Sequence, residues 1–129
     1  MAEVRRAVHR PLSPHLQIYR WHIPMLTSIL TRITGNGVIV AAFMIIAWLA
    51  AAAAGPDAFA AVDGLARSWL GLLILTGALW AMWYHLLAGL RHLYYDAGKG
   101  LDIPTAEKLG LACLGGSVVL TVLTILVIR

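Results

Sequence analysis

Charge is scarce in this chain and cysteine is all but absent. Of 129 residues, 12% are Asp, Glu, Lys or Arg, against about 25% in a soluble domain. The single cysteine, Cys113, lies in an apolar run. One thiol excludes a disulfide framework or a cysteine-ligated metal cluster within the chain, and Cys113 reads as a small buried apolar residue. An N-terminal apolar core ahead of a cleavage site is missing too. The first ~28 residues are polar and broken by Pro11, Pro14 and Pro24, so no cleavable signal peptide is expected.

What the chain has instead is apolar surface. Hydrophobic residues make up 60% of it, more than one small core can hide, so the bilayer must serve as solvent. Three segments are free of charged residues: Ile33 to Pro56, Ser68 to Leu90, and Leu109 to Ile128, of 24, 23 and 20 residues. A helix needs roughly 20 residues to cross the hydrocarbon, and open strands would leave backbone groups unpaired in lipid. The expected fold is therefore an all-α integral membrane protein of one domain, 1–129. Three transmembrane helices run over approximately 30–54, 67–93 and 107–128, after a short N-terminal interfacial or cytoplasmic segment. Gly55-Pro56-Asp57 breaks the first span, and the stretch from Asp96 to Pro104 breaks the second.

The positive residues are unevenly placed. Arg5, Arg6, Arg10, Arg20 and Arg32 precede the first long apolar run, and Arg91, Lys99 and Lys108 lie between spans two and three. Only Arg67 and Arg129 fall on the other side. The positive-inside rule then puts the N-terminus in the cytoplasm. A basic arm can signal nucleic acid, but no soluble binding module accompanies this one. Anionic lipid headgroups are the expected partner, and nucleic acid is not.

An ionisable residue inside a membrane span is costly and usually functional. His85 is such a residue. On a helical wheel it shares a face with Ala78, Ala81, Ala88, Gly89 and His92. Apart from the histidines, every member is small. Such a groove admits a neighbouring helix or the edge of a flat ligand, and His85 tips the reading toward a haem-iron ligand. The remaining alternative is an interhelical hydrogen bond. His92 lies about 10 Å along the axis from His85, so His92 and the adjacent Arg91 are candidates for haem propionates, or else end the helix among phosphates. His9, His15 and His22 lie outside the spans. One buried histidine supplies one axial ligand, so a six-coordinate iron needs a second from another chain. Ser28 and Arg32, at i and i+4, could hold the oxygens of a quinone head. Capping by Ser28 and snorkelling by Arg32 explain the same spacing. Trp21, Trp80 and Trp83 are assigned no chemistry.

Two signatures carry a resemblance that covers essentially the whole chain. One is Arg10-Pro11-Leu12-Ser13-Pro14-His15-Leu16, followed by Ser28-Ile29-Leu30-Thr31-Arg32-Ile33-Thr34. The other runs from His85 to Gly98 through Gly89, Arg91, His92 and Asp96. Together they resemble the cytochrome b membrane-anchor subunit of succinate dehydrogenase (succinate:quinone oxidoreductase, respiratory complex II). The resemblance implies that His85 is the axial ligand of haem b and that Ser28 and Arg32 border the ubiquinone site. It implies three partners: a second membrane-anchor subunit giving the other haem ligand, an iron–sulfur subunit, and a flavoprotein subunit that oxidises succinate. This chain would serve the quinone end of that electron path, in a bacterial inner membrane rather than a mitochondrial one. One position departs from the pattern: where the family has a histidine before the arginine, this chain has Thr31, which shifts propionate pairing toward Arg32 and His92. Other readings are a structural anchor without haem, the anchor of a related fumarate reductase, and a small transporter or channel subunit.

Overall fold

The computed structural model describes residues 16–128. Outside them lie the arginines at 5, 6 and 10, the proline-rich part of the first signature, His9, His15 and Arg129. The described residues form four helices: α1, Ile23–Ala54; α2, Pro56–Arg67; α3, Trp69–Asp96; and α4, Ile103–Ile128. Three of them, α1, α3 and α4, are long and apolar enough to cross a membrane.

Caps rather than hydropathy set the helix ends, so the helices and the expected spans differ by several residues. The apolar run of the first span starts after Arg32, yet α1 begins at Ile23. Pro24 sits in its first turn, where the missing N–H costs nothing and the fixed φ favours a helix. The backbone amides of Met25 and Leu26 both donate to the His22 carbonyl at 3.1 Å. At α4, Asp102 accepts from the Thr105 amide at 3.0 Å, which extends that helix back to Ile103.

The sequence predicts a break at Gly55-Pro56-Asp57 and a short connection to the second span at 67. The structure turns it into a separate helix, α2. Proline starts it after Gly55, and Ser68 ends it and caps α3 by accepting from the Gly71 amide at 3.1 Å. The turn is tight: any side chain at Gly71 would run into the carbonyl oxygens of Leu65 and Ala66. On α2, Asp63 accepts from Arg67 Nε at 2.6 Å and from Trp48 Nε1 of α1 at 3.4 Å. The Arg67 hydrogen bond holds the Asp63 carboxyl below the usual range. This pair lies at the solvent-facing end, so it ties α2 to α1 more than it stabilises either.

Helix α3 is the centre of the bundle, packing on both α1 and α4, with α1 and α4 also in contact. Small and hydroxyl residues make the seams. Gly110, Cys113, Ser117 and Thr121 are the buried stripe of α4, and a Cβ at Gly37 of α1 would stand 3.3 Å from that of Ala81. Lipid is as apolar as leucine, so membrane helices gain by close backbone approach rather than by burying large side chains. The large apolar residues Leu72, Phe43, Ile46 and Val119 accordingly face outward. Tyr84 is the largest fully buried side chain, packed with Ala88 and Cys113. Trp80 tilts against Tyr84 with centroids 5.8 Å apart, and Trp83 Nε1 donates to Thr124 at 3.0 Å.

Candidate haem-facing site

Helix α1 turns a row of threonines toward α3. Thr27, Thr31 and Thr34 follow one another at i, i+4 and i+7, and each hydroxyl donates back to a carbonyl of its own helix. Such back-bonding satisfies a hydroxyl where no water is available. The Thr27 and Thr31 carbonyl oxygens on the inner face also meet two side chains of α3. The Tyr84 hydroxyl donates to the Thr27 carbonyl at 3.1 Å. His85 Nδ1 lies 3.2 Å from the Thr31 carbonyl and 3.4 Å from Thr34 Oγ1.

The His85 ring rests against Gly35, where a Cβ would stand 3.1 Å from Cε1. Among the described residues, its Nε2 has no hydrogen-bond partner. Outside the ring a shallow apolar depression is lined by His85, Leu86, Gly89, Leu90 and Leu93. A Cβ at Gly89 would meet nothing within 4 Å.

The face of small residues expected around His85 is therefore divided. Ala81 and Ala88 are buried within the bundle, Ala78 is half-buried, and Gly89 and His92 are exposed, Gly89 lining the depression with His85. Leu86 and Leu90, outside that small-residue face, form walls of the depression. The correction has a physical cause: two neighbouring helices compete for the small stripe, and the part they leave is what a ligand or partner can reach.

His92 is exposed and meets Tyr95 edge-on at 6.2 Å. Arg91 is elsewhere. Six residues from His85, it is turned about 120° around the axis and only 7% exposed. Its Nη1 approaches Gly110 of α4, its Cζ lies 5.7 Å from the Tyr95 ring centroid, and its Nε has no hydrogen-bond partner among the described residues. Ser28 is half-buried and Arg32 exposed, neighbours on α1 with no side-chain partner among the described residues. Sequence reasoning missed Thr34, Gly35 and the Thr31 carbonyl. The signal was present, since hydroxyl residues at helical spacing inside an apolar span mark an inward face.

A bundle of three long apolar helices with a half-buried imidazole beside an open apolar depression defines a membrane-spanning subunit with a candidate ligand site. The comparisons agree with that class. The family model described as "Succinate dehydrogenase/Fumarate reductase transmembrane subunit" matches residues 6–124. The chain is 58% identical over 127 residues to the succinate dehydrogenase cytochrome b556 subunit of Paracoccus denitrificans, covering 98% of this chain and 97% of that protein. It is 40% identical over 121 residues to the mitochondrial cytochrome b560 subunit of Sus scrofa, covering 90% and 68%. With the b556 subunit of Rickettsia conorii it shares 36% over 114 residues, covering 88% and 89%. This chain belongs to the succinate dehydrogenase/fumarate reductase transmembrane-subunit family and is a membrane anchor of that oxidoreductase complex.

Proposed function

We propose that this chain carries half of a haem b site and part of a ubiquinone site in a succinate dehydrogenase, with its N-terminus in the bacterial cytoplasm. The observation that supports the haem reading best is the seating of His85. Its Nδ1 faces two oxygen acceptors and the residue lines the depression, which leaves Nε2 as the nitrogen available to a haem iron. Open space at Gly89 suits a porphyrin edge. Haem, when bound, supplies a one-electron store. The residues of this chain hold and orient the ligand nitrogen, while Leu86, Leu90 and Leu93 keep water from it. His92, on the same face, is the candidate propionate partner. Arg91 reaches a propionate only by leaving its packing against Gly110 and Tyr95. Ser28 and Arg32 border the quinone head at the basic end, next to the iron–sulfur subunit, while the second anchor subunit gives the opposing haem ligand. The succinate-oxidising flavoprotein completes the assembly.

The test is a reduced-minus-oxidised spectrum of the purified four-subunit complex. A low-spin haem b band that His85→Leu removes or weakens is the expected result. Absence of the band from fully assembled wild-type enzyme would overturn the haem assignment and leave a structural anchor.

A further inference from the structure

We propose that Thr34 and Gly35 are positioning residues for His85: Thr34 helps to fix the ring's proton on Nδ1, and Gly35 sets the plane of the ring. The inference rests on His85 as haem ligand and deepens that reading.

Donor and acceptor accounting carries the first part. The Thr34 hydroxyl has one proton, which is committed to the Leu30 carbonyl at 2.8 Å and shared with the Thr31 carbonyl at 3.2 Å. Toward His85 Nδ1, Thr34 Oγ1 thus presents lone pairs, 3.4 Å away. The other neighbour of Nδ1 is the Thr31 carbonyl, also an acceptor, at 3.2 Å. Two acceptors and no donor require an N–H at Nδ1. The neutral imidazole then has its lone pair on Nε2, the nitrogen without a hydrogen-bond partner among the described residues. A hydrogen bond from the outer nitrogen raises ligand basicity, which favours ferric over ferrous iron.

Close contact carries the second part. Gly35 lies beside the ring, where a methyl group would stand 3.1 Å from Cε1 and 3.6 Å from Nδ1. Alanine there must push the imidazole by a few tenths of an ångström or rotate it. Neither residue touches the depression, so both act through His85.

The experiment uses the intact complex with Thr34→Val, Thr34→Ser and Gly35→Ala. Assembly is scored by co-purification of all four subunits, and the ferric haem by redox titration and low-temperature EPR. Thr34→Val loses an acceptor at nearly constant shape, so at a fixed ambient potential the ferrous-to-ferric ratio should rise about threefold. Thr34→Ser should restore the wild-type ratio. Gly35→Ala should move the low-spin EPR signal or lower haem content in an assembled complex. Haem retained with an unchanged titration and EPR signal in Thr34→Val overturns the role of Thr34, as does an equal shift in the serine and valine variants. Where Thr34→Val does not assemble, Thr34→Ser and Gly35→Ala decide: a serine titration unlike the wild type, or an unaltered EPR spectrum in Gly35→Ala, sinks the proposal. Failure of the ligand assignment itself looks different: the haem band would survive His85→Leu.

Discussion

Ser28 and Arg32 lie one turn apart on α1 with their polar groups uncommitted among the described residues. A quinone carbonyl held there would receive a charge-assisted hydrogen bond from Arg32, a class worth roughly 1.5–3 kcal/mol. Arg32→Leu should therefore lower kcat/KM for quinone about tenfold or more. Ser28→Ala should have a smaller effect, of about threefold to tenfold for a neutral hydrogen bond. Quinone kinetics unchanged in both would remove these residues from the site. The spacing of this pair, and the place of His85 at the middle of a span, were legible in the sequence because helix geometry converts separation into direction. The partners of His85 were not legible. Thr34 and Gly35 lie about fifty positions away, and only the crossing of α1 over α3 brings them to the ring.

At the scale of elements, a close approach and a cap near its N-terminus help to hold α4. A Cβ at Gly110 would stand 3.0 Å from Thr27 Cγ2 and 3.2 Å from Ile23 Cγ2. Gly110→Val should cost about 1–3 kcal/mol through overpacking, read as a lower thermal transition of the detergent-solubilised complex, whereas Gly115→Val, with open space around it, should not. The cap at Asp102 carries a pH signature. Hydrogen bonds from Thr105 hold its carboxyl below the ordinary value of 3.8. A lowered folded value means that the carboxylate adds stability above the unfolded value and loses it as pH falls through the folded one. The stability gap between wild type and Asp102→Ala should be constant above about pH 5 and shrink as pH falls below 3.8. A gap that widens in acid would contradict the cap. The three long apolar helices were readable from charge-free runs. Helix α2 was not, because Gly55-Pro56 signals a stop and a start with equal force, and only the pairing of Asp63 with Arg67 and Trp48 shows which follows.

At the scale of the whole molecule, the depression beside His85 stands open: its walls, Leu86, Leu90 and Leu93, are 50% or more exposed. Expressed without the second anchor subunit, the chain should fail to give a six-coordinate low-spin haem spectrum, and co-expression should restore it. A normal spectrum from the isolated chain would show that it finds both ligands by itself. Arg91 has a consequence beyond its packing. Its guanidinium lies between Gly110 and Tyr95, with no ion-pair partner among the described residues. A fixed positive charge inside a bundle acts as an electrical bias. At an effective dielectric constant of about 20, an electron held roughly 10 Å away is stabilised by ~1.7 kcal/mol, or about 70 mV for a one-electron couple. An electron acceptor placed at that distance from Arg91 would be the easier to reduce for it.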